Sequence, residues 1–118
     1  MKKIFFLLTS LVIITACAKK THSVVGKWKP VEMNIEDMSE DEKQEVIKTS
    51  VLEFRSDGNF LNSSRGYKME GRYVYNVKDS TLKATSKEDS KVQEFKITWD
   101  DDKMVMTNKE GAVKLKKE

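Results

Sequence analysis

The sequence predicts an all-β fold, a small antiparallel up-and-down barrel of about eight short strands with one short helix after the first strand. Three observations point there. Turn-forming clusters recur about every ten residues from Asp57 onward. The segments between them alternate apolar and polar residues, as half-buried strands do. An S-x-x-E capping box, Ser39 to Glu42, interrupts this meander and marks a helix start.

The first residues stand apart from that fold. Met1-Lys2-Lys3 is a positive n-region, and Ile4 to Ile14 (IFFLLTSLVII) is apolar except for Thr9 and Ser10. A membrane-spanning helix needs roughly 20 apolar residues, whereas a run of about 7–15 followed by small residues is a secretory leader, removed on export. Two cleavage chemistries compete. Ala16 and Ala18 suit an ordinary signal peptidase. Ile14-Thr15-Ala16-Cys17, an aliphatic residue, two small ones and a Cys, resembles the lipobox of bacterial lipoproteins. That resemblance implies a leader over residues 1–16, diacylglycerol on the Cys17 thiol, and acylation of the new amine. Cys17 is the only cysteine. It has no partner for an internal disulfide, and a free thiol in an oxidising compartment is a liability; acylation resolves both. Each buried methylene contributes about 0.8 kcal/mol, so one acyl chain holds weakly and two or more hold firmly. The membrane is then the partner at this end. Residues 17–23 read as a lipidated tether, in which Lys19 and Lys20 can meet anionic headgroups and His22 is expected to be solvated. Ala18 in place of Asp after the Cys favours, by resemblance to lipoprotein sorting, the outer membrane.

The formal net charge of +3 is partly a leader property. Without Lys2 and Lys3 the chain carries 20 basic and 19 acidic residues, or +1. Both signs are interspersed and no basic stripe is interleaved with aromatics, so nucleic acid is excluded as a partner. Charged residues make up 35% of the chain, which keeps a small domain soluble beside a membrane.

Residues 24–118 form one domain, small enough that its sheet must close or cover its edges. The first strand is Val24 to Lys29 (VVGKWK). A surface helix of about Glu40 to Thr49 follows; Glu40, Asp41 and Glu42 suit its positive end and Lys48 its negative one. Its apolar stripe is thin, Val46 and Ile47 with Met38 nearby. Asp57-Gly58 then joins SVLEFRS to NFLNSS as a hairpin. Lys78-Asp79-Ser80 separates MEGRYVYNV from TLKATS, and Lys87 to Ser90 precedes KVQEFKITW. Asp100 to Asp102 precedes KMVMTN, and Lys109-Glu110-Gly111 precedes the last strand, AVKLKK. Alternation places Val24, Trp28, Leu52, Phe54, Phe60, Tyr73, Tyr75, Leu82, Phe95, Ile97, Trp99, Met104, Met106, Val113 and Leu115 inward. Val25, Val51, Leu61, Val74 and Val105 fall on the outside.

Gly26-Lys27-Trp28 in the first strand resembles the Gly-x-Trp signature of lipocalins and of smaller bacterial lipocalin-like domains. Phe54 to Phe60 (FRSDGNF) is similar to the second hairpin of those small domains, and Gly71-Arg72-Tyr73 to their recurrent Gly-x-aromatic strand. The resemblance spans Val24 to Lys117. It implies a barrel floor built on Trp28 and Gly26, where glycine admits a close neighbour. In lipocalins an Arg near the last strand stacks over this Trp; here that strand offers Lys114, Lys116 and Lys117. The resemblance further implies that the first connection, Pro30 to Ser50, crosses the open mouth as a lid with Val46 and Ile47 facing it. A small apolar or amphipathic ligand would lie against Phe60, Tyr73, Tyr75, Met104 and Met106. Tyrosine gives an apolar wall with an orienting hydroxyl, and methionine adapts to irregular shapes. The same residues also serve as ordinary core, since an eight-stranded barrel is just filled by its own side chains.

No catalytic constellation is present in the sequence. The single His lies in the tether, and neither a nucleophile elbow nor a phosphate loop occurs. Asp100-Asp101-Asp102 lacks the spaced ligands and distal Glu of a calcium loop and reads as a solvated turn. Asn62-Ser63-Ser64 fits an N-glycosylation pattern, and Asp79-Ser80-Thr81 resembles a short O-glycosylation motif of some envelope bacteria. Neither a metal nor another cofactor is expected. Two functions follow: a membrane-tethered binder of a small apolar or amphipathic molecule, or a packed scaffold whose outside binds another envelope protein.

Overall fold

The computed structural model describes residues 22–118. The predicted leader and Cys17 lie outside the described residues. The elements are β1 (Gly26–Ile35), α1 (Glu40–Thr49), β2 (Val51–Phe54), β3 (Asn59–Ser64), β4 (Tyr67–Asn76), β5 (Thr81–Ser86), β6 (Val92–Asp100), β7 (Lys103–Asn108) and β8 (Gly111–Lys117). Each strand pairs antiparallel with the next, and β8 returns to β1, so the sheet is a closed eight-stranded barrel. Closure removes the edges that a small sheet would otherwise expose.

Alternation sets the interior. Every residue expected to point inward lies in the core cluster or packs against it, and Ala84 joins them. Trp28, Phe54, Leu82, Ile97 and Met104 are the largest fully buried side chains. Outside, Val74 and Val25 are exposed, whereas Val51, Leu61 and Val105 are half-buried. The up-and-down order gives the barrel two unlike ends. The chain entry and the β2–β3, β4–β5 and β6–β7 turns share one end, the floor. At the other end, the mouth, lie α1 and the β3–β4, β5–β6 and β7–β8 turns.

The helix begins where its box predicts. Glu42 N donates to Ser39 Oγ at 3.2 Å, and Ser39 N donates back to Glu42 Oε1 at 3.1 Å. No residue of α1 is buried. It covers part of the end of the barrel without belonging to its core.

Three local features depart from expectation. The first strand does not stop at Lys29; it runs through Pro30 to Ile35, which shortens the lid connection to Glu36–Ser50. Proline cannot donate to a ladder. Here pairing with β2 has already ended at Trp28, and the β1–β8 register shifts between Pro30 and Glu32. At that bulge Val31 and Glu32 are both exposed, after which Met33 and Ile35 resume the inward phase. Second, the strand read from Met69 begins at Tyr67, because β3 and β4 meet in a tight turn at Arg65-Gly66, with φ of 52° and 85°. Paired positive φ values suit the right-handed twist of a two-residue hairpin. Third, His22 is exposed, as expected, but is held against the barrel. Its ring stacks on Trp99 at 4.4 Å and 10°, and its Nε2 donates to Asp101 O at 2.9 Å. An exposed indole face offers a flat apolar surface, and a ring one strand-end away covers it.

Candidate functional site

The floor is built on Trp28. Its indole is buried, and Nε1 donates to Val24 O at 2.8 Å, which satisfies the only polar atom of the side chain. Trp99 leans against it with ring centroids 6.0 Å apart. Lys117, paired with Trp28 across the β1–β8 ladder, carries its Nζ 5.2 Å from the indole centroid, within cation–π range. Gly26 makes room for this arm, since a Cβ there would approach Lys117 Cε to 2.6 Å. Above the floor, Tyr73 meets Phe54 edge-on at 4.8 Å and donates its hydroxyl to Arg55 O at 2.6 Å. Burial, helped by the Asp57 charge, pushes the Tyr73 phenol up from its ordinary value.

The other half of the barrel is not filled. A cavity of about 540 Å³ opens at the mouth above Leu52, Phe54, Phe60, Leu82, Phe95 and Met106. A smaller compartment of about 260 Å³ adjoins it beneath α1, between Met33, Ile35, Val46, Val113 and Leu115. The two share Leu52, Asn62, Ser64, Gln93, Phe95 and Met106. The apolar bottom therefore rises into uncharged polar side chains, and charge appears only at the rim. Arg65, Lys68 and Lys91 stand there with Glu88 and Asp89. The Asp89 carboxyl is held below its ordinary value, chiefly by the Lys91 backbone N–H.

The expected ligand contacts divide between the two halves. Phe60 and Met106 line the cavity. Tyr73, Tyr75 and Met104 belong to or pack against the same core and are absent from the cavity wall. β4 starts at the mouth with Tyr67 and Met69, and Tyr73 and Tyr75 follow farther along it, paired with Ala84 and Leu82, which take the places on the cavity wall. Of the lid pair, Val46 lines the smaller compartment and Ile47 does not; neighbouring helix residues cannot share one face.

Sequence reasoning missed the polar residues of the mouth, Asn62, Ser64, Gln93 and Asn108. Each extends an inward series already begun by an aromatic or methionine: Phe60-x-Asn62-x-Ser64, Gln93-x-Phe95 and Met106-x-Asn108. It also missed how the lid is fastened. Ser50 Oγ donates to Ser64 Oγ at 2.8 Å, and Arg65 N donates to Thr49 Oγ1 at 3.2 Å. These two bonds join the end of α1 to the β3–β4 hairpin.

Among the described residues no group of three or more His, Cys, Asp or Glu is arranged to hold a metal ion, and no helix is long and apolar enough to cross a membrane. Comparison with known proteins gives no match, whether to a family model, a curated protein or a solved structure. The arrangement itself is a barrel packed at one end and hollow at the other, with a helix fastened beside the opening.

Proposed function

We propose that this protein is a non-enzymatic, membrane-anchored binder of a small amphipathic molecule, with Cys17 acylated at the outer membrane and the ligand seated in the barrel mouth. The observation that carries the ligand half is the cavity of about 540 Å³, whose bottom is apolar and whose upper wall is polar. Pockets of a few hundred Å³ with an apolar lining and a few polar groups are the usual form of small-molecule sites. The membrane half rests on the sequence alone, through the leader and Ile14 to Cys17. Mass spectrometry of the protein extracted from membranes tests both. An acyl increment on Cys17 and a stoichiometric small molecule under native conditions are the expected results. An unmodified Cys17 refutes the anchor. An empty protein that also binds no member of an amphiphile panel refutes the binder.

A second reading has its own observation. Val74 and Val77, 69% and 74% exposed, leave apolar surface on the outside of β4 and the turn after it, which suits a scaffold that docks another envelope protein. Crosslinking in cells with Val74→Lys and Val77→Lys separates the two readings. Loss of a crosslinked partner with ligand retention supports the scaffold, and no change in partners sinks it.

A further inference from the structure

We infer that the mouth selects an amphiphile with an uncharged head that both donates and accepts hydrogen bonds, an amide or hydroxyl head, over one ending in a carboxylate. This rests on the binder reading above and names the ligand class for the same site. Asn62 from β3 and Gln93 from β6 line both compartments, and so stand where these join. Among the described residues neither side-chain amide has a hydrogen-bond partner. Asn108 spends its carbonyl on Glu110 N at 2.9 Å and keeps its NH₂ group. Ser64 accepts from Ser50 and keeps its own hydroxyl proton. The layer above the apolar bottom thus offers donors and acceptors together, and the one charged group beside it in the smaller compartment is the exposed carboxylate of Glu110, which repels an anion.

An amide or a diol matches such a layer from both sides. It donates to the carbonyls of Asn62 and Gln93 and accepts from their NH₂ groups. An ionised carboxylate accepts only, so each amide carbonyl facing it is left without a donor. Beside the half-buried Asn62 and Ser64 it also gives up water with no cation there to balance it. The cations nearby do not reverse this. Arg65, Lys68 and Lys91 are exposed at the rim beside Glu88 and Asp89, where solvent and salt screen them.

The test uses the full-length protein and three probes with one tail: lauramide, monolauroylglycerol and laurate, each competing against a fluorescent amphiphile at neutral pH. The two neutral heads should compete at concentrations about tenfold lower than laurate, the worth of one to two additional hydrogen bonds. Gln93→Leu should abolish that difference, and Gln93→Lys should turn it in favour of laurate. Gln93 is exposed, so both variants should fold, which circular dichroism checks. Laurate competing as well as the neutral probes overturns the inference and leaves the binder reading standing. Failure of every probe, the fluorescent amphiphile included, overturns both.

Discussion

Gly71→Ala should be among the most damaging single-methyl additions to this chain. Gly71 lies in β4 between Phe60 of β3 and Ser86 of β5, on the inward face. A Cβ built there runs into the carbonyl oxygen of Thr85 and comes within 2.7 Å of Phe60 Cε1 and 2.9 Å of the Thr85 carbonyl carbon. Two of these three atoms are backbone and cannot rotate away. Overpacking costs roughly 1–3 kcal/mol where side chains can adjust, and the upper end applies where the ladder itself must move. Each kcal/mol lowers the midpoint of a domain this size by about 4–8 °C, so a loss of about 12–24 °C is expected in thermal unfolding followed by circular dichroism. Gly66→Ala is the control. Gly66 has φ of +85° but nothing within 4 Å of a Cβ, so it carries only the left-handed backbone penalty of about 1–2 kcal/mol. A Gly71→Ala midpoint no lower than that of Gly66→Ala would refute the argument from close strand approach.

Other consequences can be read in the same way. Ser39→Ala removes the hydroxyl arm of the capping box, leaving the Ser39 backbone N–H arm in place, and should cost about 1 kcal/mol, seen as faster amide exchange confined to α1. The Glu42 carboxyl is held below its ordinary 4.5, first by the Ser39 backbone N–H. The stability it adds is therefore present above that value and lost as the pH falls through the folded one; acid should loosen α1 in the parent and less so in Ser39→Ala. Tyr73 is shifted the other way, up from 10.0 by burial. Its contribution is complete below that value and lost as the pH rises through the folded one, so Tyr73→Phe should flatten the fall of stability at alkaline pH. Tyr73→Phe should lose about 1 kcal/mol at neutral pH with the Arg55 hydrogen bond. Lys117→Met should cost about 0.5 kcal/mol in urea denaturation by removing the cation over Trp28, and Lys117→Arg should not.

The strands were legible because each carries its own alternation and its own turn. Phe95, Ile97 and Trp99 could face only one way, and Asp57-Gly58 and Lys109-Glu110-Gly111 fixed where neighbouring strands reverse. Pro30 misled for a physical reason. It looks like a strand end, and the bulge beside it puts Val31 and Glu32 out together, so the period that announces a strand is broken for one step. The site was less legible than the fold. Inward positions were sought among apolar residues, yet near an open mouth the interior is wet and the inward slots of β3 and β6 hold Asn62 and Gln93. Tyr73, Tyr75 and Met104 have the chemistry of a ligand wall but are packed into the core, while Ala84 and Leu82, opposite the two tyrosines on β5, line the cavity; which of two paired inward residues meets the opening is set by packing across the barrel, which no local pattern encodes.

The entry of the chain beside Trp99 governs which way the barrel would look from a bilayer. From Cys17 to His22 the backbone can reach about 17 Å at most, whereas the ten residues of β1 rise about 33 Å. An acylated Cys17 would therefore hold the floor near the headgroups and could not let the barrel tip over to press its opening against the same leaflet. On the proposed anchoring and binding, a ligand would reach the mouth through the aqueous space or from a facing membrane, and not directly from the leaflet that would hold Cys17.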